Sequence, residues 1–206
     1  MAPGTWAEYD FDSYTGTFNP LNGMITVDPT SVKVVQQERQ TNLAYHMPLD
    51  ASQLAMARVQ TNAGYAATTV DPTLAYTLVE RQSATLIGEA ANPGAASQDP
   101  PEPYTTVSPV VGEVVNTMSL VTKFDGTTFY FTTRYTTIAV GVTFDGFPNA
   151  TVTTLTENPG DAGNNEMAYV WVFSGGEIAE EIIGWVAADG SLTNGALLRR
   201  TGMGRN

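Results

Sequence analysis

"FDGTTFYFTTRYTTIAVGVTFDGF", residues 124–147, begins and ends on the same tripeptide. Between the two copies the apolar side chains change parity. Phe129 and Phe131 stand at odd positions, whereas Ile138, Val140, Val142 and Phe144 stand at even ones. Strand side chains alternate between faces, so this stretch predicts a strand with a bulge, bend or tight turn near residues 134–137. A strand that bends and crosses between two packed sheets produces such a flip. Asp125-Gly126 and Asp145-Gly146 then read as hairpin turns, since Asp and Gly tolerate positive φ.

Chemistry at the two aspartates has less support. A calcium loop needs oxygens at regular spacing, as in D-x-D-x-D-G, and the chain has none. Two aspartates about 20 residues apart could converge as a glycosidase pair, but any β-protein with two Asp-Gly turns offers the same spacing. Turn geometry accounts for both copies.

The composition leans the same way. Of the 206 residues 29 are Thr and 19 are Gly, and the hydrophobic share is 42%. Thr, Val, Tyr and Phe favour strands and Gly serves turns, so the chain reads as all-β with one sizeable core. The 21 acids against 9 bases give a net charge of −12, and only Lys33 and Lys123 are lysine. Such a surface repels phosphate and anionic membrane, which argues against nucleic-acid binding through a basic patch. It also suits high salt, where screening removes self-repulsion. With no cysteine there is no disulfide or thiolate chemistry, and the single histidine, His46, leaves the usual zinc sites without ligands. The N-terminus does not read as a secretory signal, and no run approaches the roughly 18 apolar residues of a membrane span.

Along the chain, residues 1–23 place Trp6, Tyr9, Phe11, Tyr14 and Phe18 among turn-forming residues. They read as an extended arm whose rings dock either on their own domain or on a neighbouring subunit, which makes these five the candidate subunit contacts. Residues 24–206 read as a single domain. Residues 24–49 form two or three strands broken at Asp28-Pro29. Leu54, Ala55, Arg58, Val59 and Asn62 fall at helical spacing, with Asp50 or Ser52 to cap and Gly64 to stop, which predicts one short helix over 50–62. Residues 75–90 are strand-like, and the Pro-rich 91–103 reads as a surface loop. Residues 157–166 form a second long loop. "AYVWVF", 168–173, reads as a central strand covered on both faces or as an aromatic face that meets another chain. In residues 177–186 Ile178, Ile182 and Val186 fit a helix, but Trp185 and the Asp189-Gly190 turn favour strand. Glu180 and Glu181 point to opposite faces of it, and solvation is the simplest role for them.

No G-x-S-x-G flanks a serine, and no phosphate-binding loop or dinucleotide fingerprint occurs. The fold expected is a two-sheet β-sandwich of jelly-roll or related type with one helix and an extended N-terminal arm. A Thr-rich, Cys-free, lysine-poor β-protein with an aromatic arm and no enzymatic motif resembles the virion structural proteins of viruses, particularly those of halophilic archaea. That resemblance implies a non-enzymatic capsid or decoration subunit without a cofactor, assembled in the host cytoplasm from many copies of itself and other virion proteins. A tail-tube ring with an acidic lumen is the nearest alternative. A carbohydrate-binding or adhesin module, with Trp6, Trp171 or Trp185 exposed to stack on sugars, is the alternative from another class.

Overall fold

The computed structural model describes residues 5–48, 53–62, 76–80, 86–91, 95–99, 102–103, 108–123 and 126–205, with side-chain surroundings for 5–33, 108–122 and 126–205. These residues are all-β and contain no helix. Fourteen strands follow in chain order. They are β1 (Thr5–Phe18), β2 (Ile25–Val27), β3 (Lys33–Pro48), β4 (Gln53–Asn62), β5 (Tyr76–Glu80), β6 (Leu86–Ala91), β7 (Ala95–Asp99), β8 (Glu102–Pro103), β9 (Val114–Lys123), β10 (Thr128–Phe144), β11 (Phe147–Glu157), β12 (Met167–Ser174), β13 (Glu177–Val186) and β14 (Ser191–Arg205). They form one antiparallel sheet in the order β7-β9-β10-β11-β12-β13-β14-β1-β3-β4-β5-β6-β8, with β2 paired to the end of β1.

Two expectations about elements are corrected. Residues 53–62, read as most of the helix, form strand β4 between β3 and β5. Pairing on both sides satisfies a row of backbone groups, which outweighs a weak local helical period. Asp50 and Ser52 lie outside the described residues. The Pro-rich segment 91–103 likewise contributes β7 and β8 rather than loop alone. Asp28-Pro29 falls in the gap between β2 and β3, as the proline predicts.

β10 carries the expected bulges, but Phe129, Val140 and Val142 are exposed rather than brought to one buried face. Tyr135 lies opposite Leu155 and Thr137 opposite Thr153, but Ala139 lies opposite Val152. Register shifts occur between Thr137 and Ala139, Ala139 and Val142, and Val142 and Phe144, just beyond the expected window. Phe144 then pairs with Phe147 across a two-residue turn in which Asp145 has φ 45° and Gly146 φ 87°. Both central residues at positive φ match the hairpin turn whose twist suits antiparallel strands. Gly126 has φ 83°, while Asp125 lies outside the described residues.

The central strands are covered on both faces. One core holds Tyr9, Tyr135, Leu155, Trp171, Phe173, Ile178 and Leu198. The other holds Tyr14, Ile25, Val152, Val170, Val172, Ile182, Leu192 and Leu197. Neighbours Trp171 and Val172 fall in different cores, so "AYVWVF" is indeed a central strand with both faces buried. Residues 18–32 double back from β1 over the second face, where Phe18, Met24, Val27 and Val32 pack on that core. Their tip reaches β11, where the Thr154 hydroxyl donates to the Asn22 carbonyl at 3.1 Å.

Candidate functional site

Three surface features flank this sheet. The first answers the question raised by the repeated tripeptide. The 144–147 turn brings the Asp145 carboxylate to Arg199 of β14, whose Nη2 donates to Asp145 Oδ2 at 3.0 Å. Arg199 Nε also donates to Glu180 Oε2 of β13 at 3.0 Å. Glu180, Arg199 and Asp10 are cross-strand partners, so they share the second face. Asp12 follows two residues on and lines a cleft of about 460 Å³ with Asp145, Glu180 and Arg199, closed by Ile25, Val27, Val32 and Phe144. Burial raises the Glu180 pKa, the Arg199 charge opposes that rise, and Asp145 adds to it. Burial, then Asp10, raises Asp12, again against Arg199. The Glu180 side chain is 2% exposed, so it is closed to a substrate. The cluster ties the turn to the sheet.

This corrects the reading of the adjacent glutamates. Glu180 is buried and ion-paired, and Glu181, on the other face, accepts a hydrogen bond from Trp171 Nε1 at 2.8 Å. Neither is simply solvated. One sequence cannot show the arginine or the indole that lies across the next strand, so no local signal marked these roles.

The second feature is the β9–β10 face, which residues 18–32 border at Arg134 and Thr136 without covering it. Cross-strand pairs Tyr130–Leu120, Thr132–Met118, Arg134–Asn116 and Thr136–Val114 put these side chains on one face. Tyr130 (67%), Met118 (61%) and Val114 are exposed, as are Val110 and Val111 in the preceding turn. Arg134 is the only charge among these paired residues. The strip is partly apolar, with acids only at its margins, where Asp99 of β7 pairs with Leu120 and Glu113 stands in the turn beside Val110.

The third is a cleft of about 450 Å³ at one end of the sheet, lined by Phe129, Tyr130, Phe131, Glu157, Asn158, Asp161, Asn165 and Trp185, with Val121 beneath. Trp185 is 38% exposed and Phe129 is also open. The loop after β11 supplies the polar wall. Asp161 accepts from Asn164 Nδ2 and Asn165 Nδ2, each at 3.0 Å, and these bonds hold its pKa below the ordinary value.

The N-terminal rings lie elsewhere. Residues 5–18, expected as an arm docked on its own domain or on a neighbouring subunit, are strand β1 of the chain's own sheet, paired to β14 and β3. The Tyr9 hydroxyl donates to the Ile178 carbonyl at 3.0 Å and the Tyr14 hydroxyl to the Ile183 carbonyl at 2.9 Å, both rings being buried in their own chain. Phe11 and Phe18 pack against the two cores, and Trp6 is half-buried beside Gly204. Of the three tryptophans weighed as sugar platforms, Trp171 is buried and Trp185 is exposed. Among the described residues no group of three or more His, Cys, Asp or Glu could hold a metal ion, and no helix is long and apolar enough to cross a membrane. No protein family, no curated protein and no solved structure matches the chain.

Proposed function

We propose that this chain is a virion structural protein, a capsid or decoration subunit that assembles with copies of itself and other virion proteins and catalyses no reaction. The observation that supports this is the bare face of β9–β10. Strand faces of this composition are buried elsewhere in the same sheet, and here Val114, Met118 and Tyr130 stand in solvent. A second copy seated on this strip takes its exposed apolar side chains out of water, and Arg134 offers one cation there on a −12 chain. Many-copy assembly needs such a patch. In this reading the protein resides in the virion.

The same reading takes the sheet as curled into two facing layers, a sandwich in the broad sense. β6 and β7 stand near opposite ends of the strand order, yet only residues 92–94 link them. Four Cα steps span at most about 15 Å, far less than a flat sheet of that many strands. Sequential neighbours along most of the order favour an up-and-down layout over jelly-roll crossovers.

Sedimentation velocity and negative-stain imaging at low and high salt test the function. The wild-type chain is expected to form closed rings or shells, more readily at high salt. Met118→Glu is expected to stay monomeric with an unchanged melting temperature. A wild-type chain that remains monomeric at every salt and concentration sinks the proposal.

A further inference from the structure

From the third feature we infer that the Trp185 cleft is a binding site for neutral oligosaccharides built of hexopyranose units. A pyranose ring has an apolar C–H face and a rim of hydroxyls, so its recognition takes an aromatic platform beside fixed hydrogen-bonding groups. The cleft has both. Trp185 and Phe129 offer partly exposed rings, Tyr130 stands at the rim, and buried Phe131 and Val121 form an apolar floor. Facing them, the loop 158–166 presents Asn158, Asp161 and Asn165.

That polar wall is preorganised. Asn158 Nδ2 donates to the Asn165 carbonyl at 3.2 Å, its Oδ1 accepts from the Thr132 amide at 3.4 Å, and Asp161 holds both neighbouring amide side chains. An ionised carboxylate has about four acceptor positions, so Asp161 keeps capacity for sugar hydroxyls while bonded to Asn164 and Asn165. A loop fixed before binding loses little freedom on binding. The volume of about 450 Å³ lies within the ordinary range for small-ligand sites. Among the described residues no cationic side chain lines the cleft, and the whole chain is acidic, so uronic and sialic acids are disfavoured. The cleft shares Tyr130 with the β9–β10 strip, but Met118 does not line it, so Met118→Glu is expected to abolish assembly and leave sugar binding unchanged.

Isothermal titration of the full chain with cellohexaose, maltohexaose and chitohexaose, and with hexagalacturonate as the anionic probe, tests the inference. At least one neutral hexasaccharide is expected to bind with Kd below about 10 mM. Trp185→Ala should weaken it by about tenfold or more, Trp185→Phe by less, and Asp161→Ala should weaken it too. Hexagalacturonate should bind at least about tenfold more weakly than the best neutral sugar. If Trp185→Ala lowers the melting temperature, Tyr130→Ala at the exposed rim replaces it, with the same direction expected. The inference is overturned if no neutral hexasaccharide binds, if the ring substitutions leave affinity unchanged, or if the anionic probe binds equally well.

Discussion

Strands β12 and β10 are built from the same vocabulary of Val, Thr and aromatic residues, and they meet opposite fates. In β12 Val170 and Val172 are fully buried on one face and Trp171 on the other. In β10 one face carries buried Phe131, Thr133 and Tyr135, while Tyr130, Thr132 and Arg134 on the other are exposed. The alternation is equally clean in both. What differs is cover: residues 18–32 lie over the second face and border β10 at Thr136 and Phe144, but leave Tyr130, Thr132 and Met118 in solvent. An apolar strand face is therefore core or interface according to what a distant segment reaches, a non-local fact.

The sharpest way to break this comparison is truncation at matched positions. Trp171→Ala removes a side chain that is 2% exposed, together with its bond to Glu181, and should cost about 3–5 kcal/mol. Met118→Ala should stay within about 0.5 kcal/mol in the monomer, as exposed positions do. Urea unfolding measures both. Similar losses at the two sites would mean that β9–β10 is already covered.

Next in size are two glycines with the same backbone requirement. Gly23 has φ 74° and Gly146 φ 87°, and alanine at either is strained by about 1–2 kcal/mol. At Gly146 a Cβ meets open space, so strain is the whole effect. At Gly23 it meets the Thr154 hydroxyl at 2.6 Å, so the covering segment must also lift. Gly23→Ala should therefore lose more stability than Gly146→Ala and bind more of a hydrophobic dye. Equal melting temperatures would show that the tip at Gly23 does not hold the cover down.

The contrast explains what the sequence revealed. The bulged strand within residues 128–144, the Asp145-Gly146 turn, the break at Asp28-Pro29 and the doubly buried 168–173 strand are local patterns, and each appears in the structure, although Phe129, Val140 and Val142 are exposed. The strand at 53–62 was not legible, because pairing with β3 and β5 overrides a short helical period. Nor was the fate of the N-terminal rings, since Tyr9 and Tyr14 find their acceptors 169 residues away on β13. Of the aromatic cleft, Phe129, Phe131, Trp185 and the 157–166 loop are each legible alone, but their convergence is not, since it joins β10, β13 and the loop after β11.

A pH series separates the buried carboxylate from the exposed one. Burial raises Glu180 above its ordinary value of 4.5, with Arg199 opposing. Between 4.5 and the raised folded value the native state binds more protons than the unfolded chain, so stability falls as pH rises through that window. Glu180→Gln abolishes this contribution. The wild type measured against Glu180→Gln should accordingly lose relative stability from acid toward neutral pH. A difference that stays constant, or grows with pH, would mean that Arg199 outweighs burial.

The smallest effect belongs to Asp145, which closes the second Phe-Asp-Gly. Its bridge to Arg199 joins side chains that are 52% and 47% exposed, and such pairs contribute about 0–1 kcal/mol. Asn keeps the turn, because it tolerates the φ of 45° found there. Arg199 also retains Glu180 at 3.0 Å, so no buried charge is stranded. Asp145→Asn should therefore melt within a degree or two of wild type at neutral pH and bind cellohexaose, maltohexaose and chitohexaose unchanged. Asp145→Ala should be slightly worse, since alanine at positive φ adds strain to the lost bridge. If Asp145→Asn instead kept its melting temperature but lost assembly, the carboxylate itself would be a contact between subunits, and the β9–β10 strip would not be the whole interface.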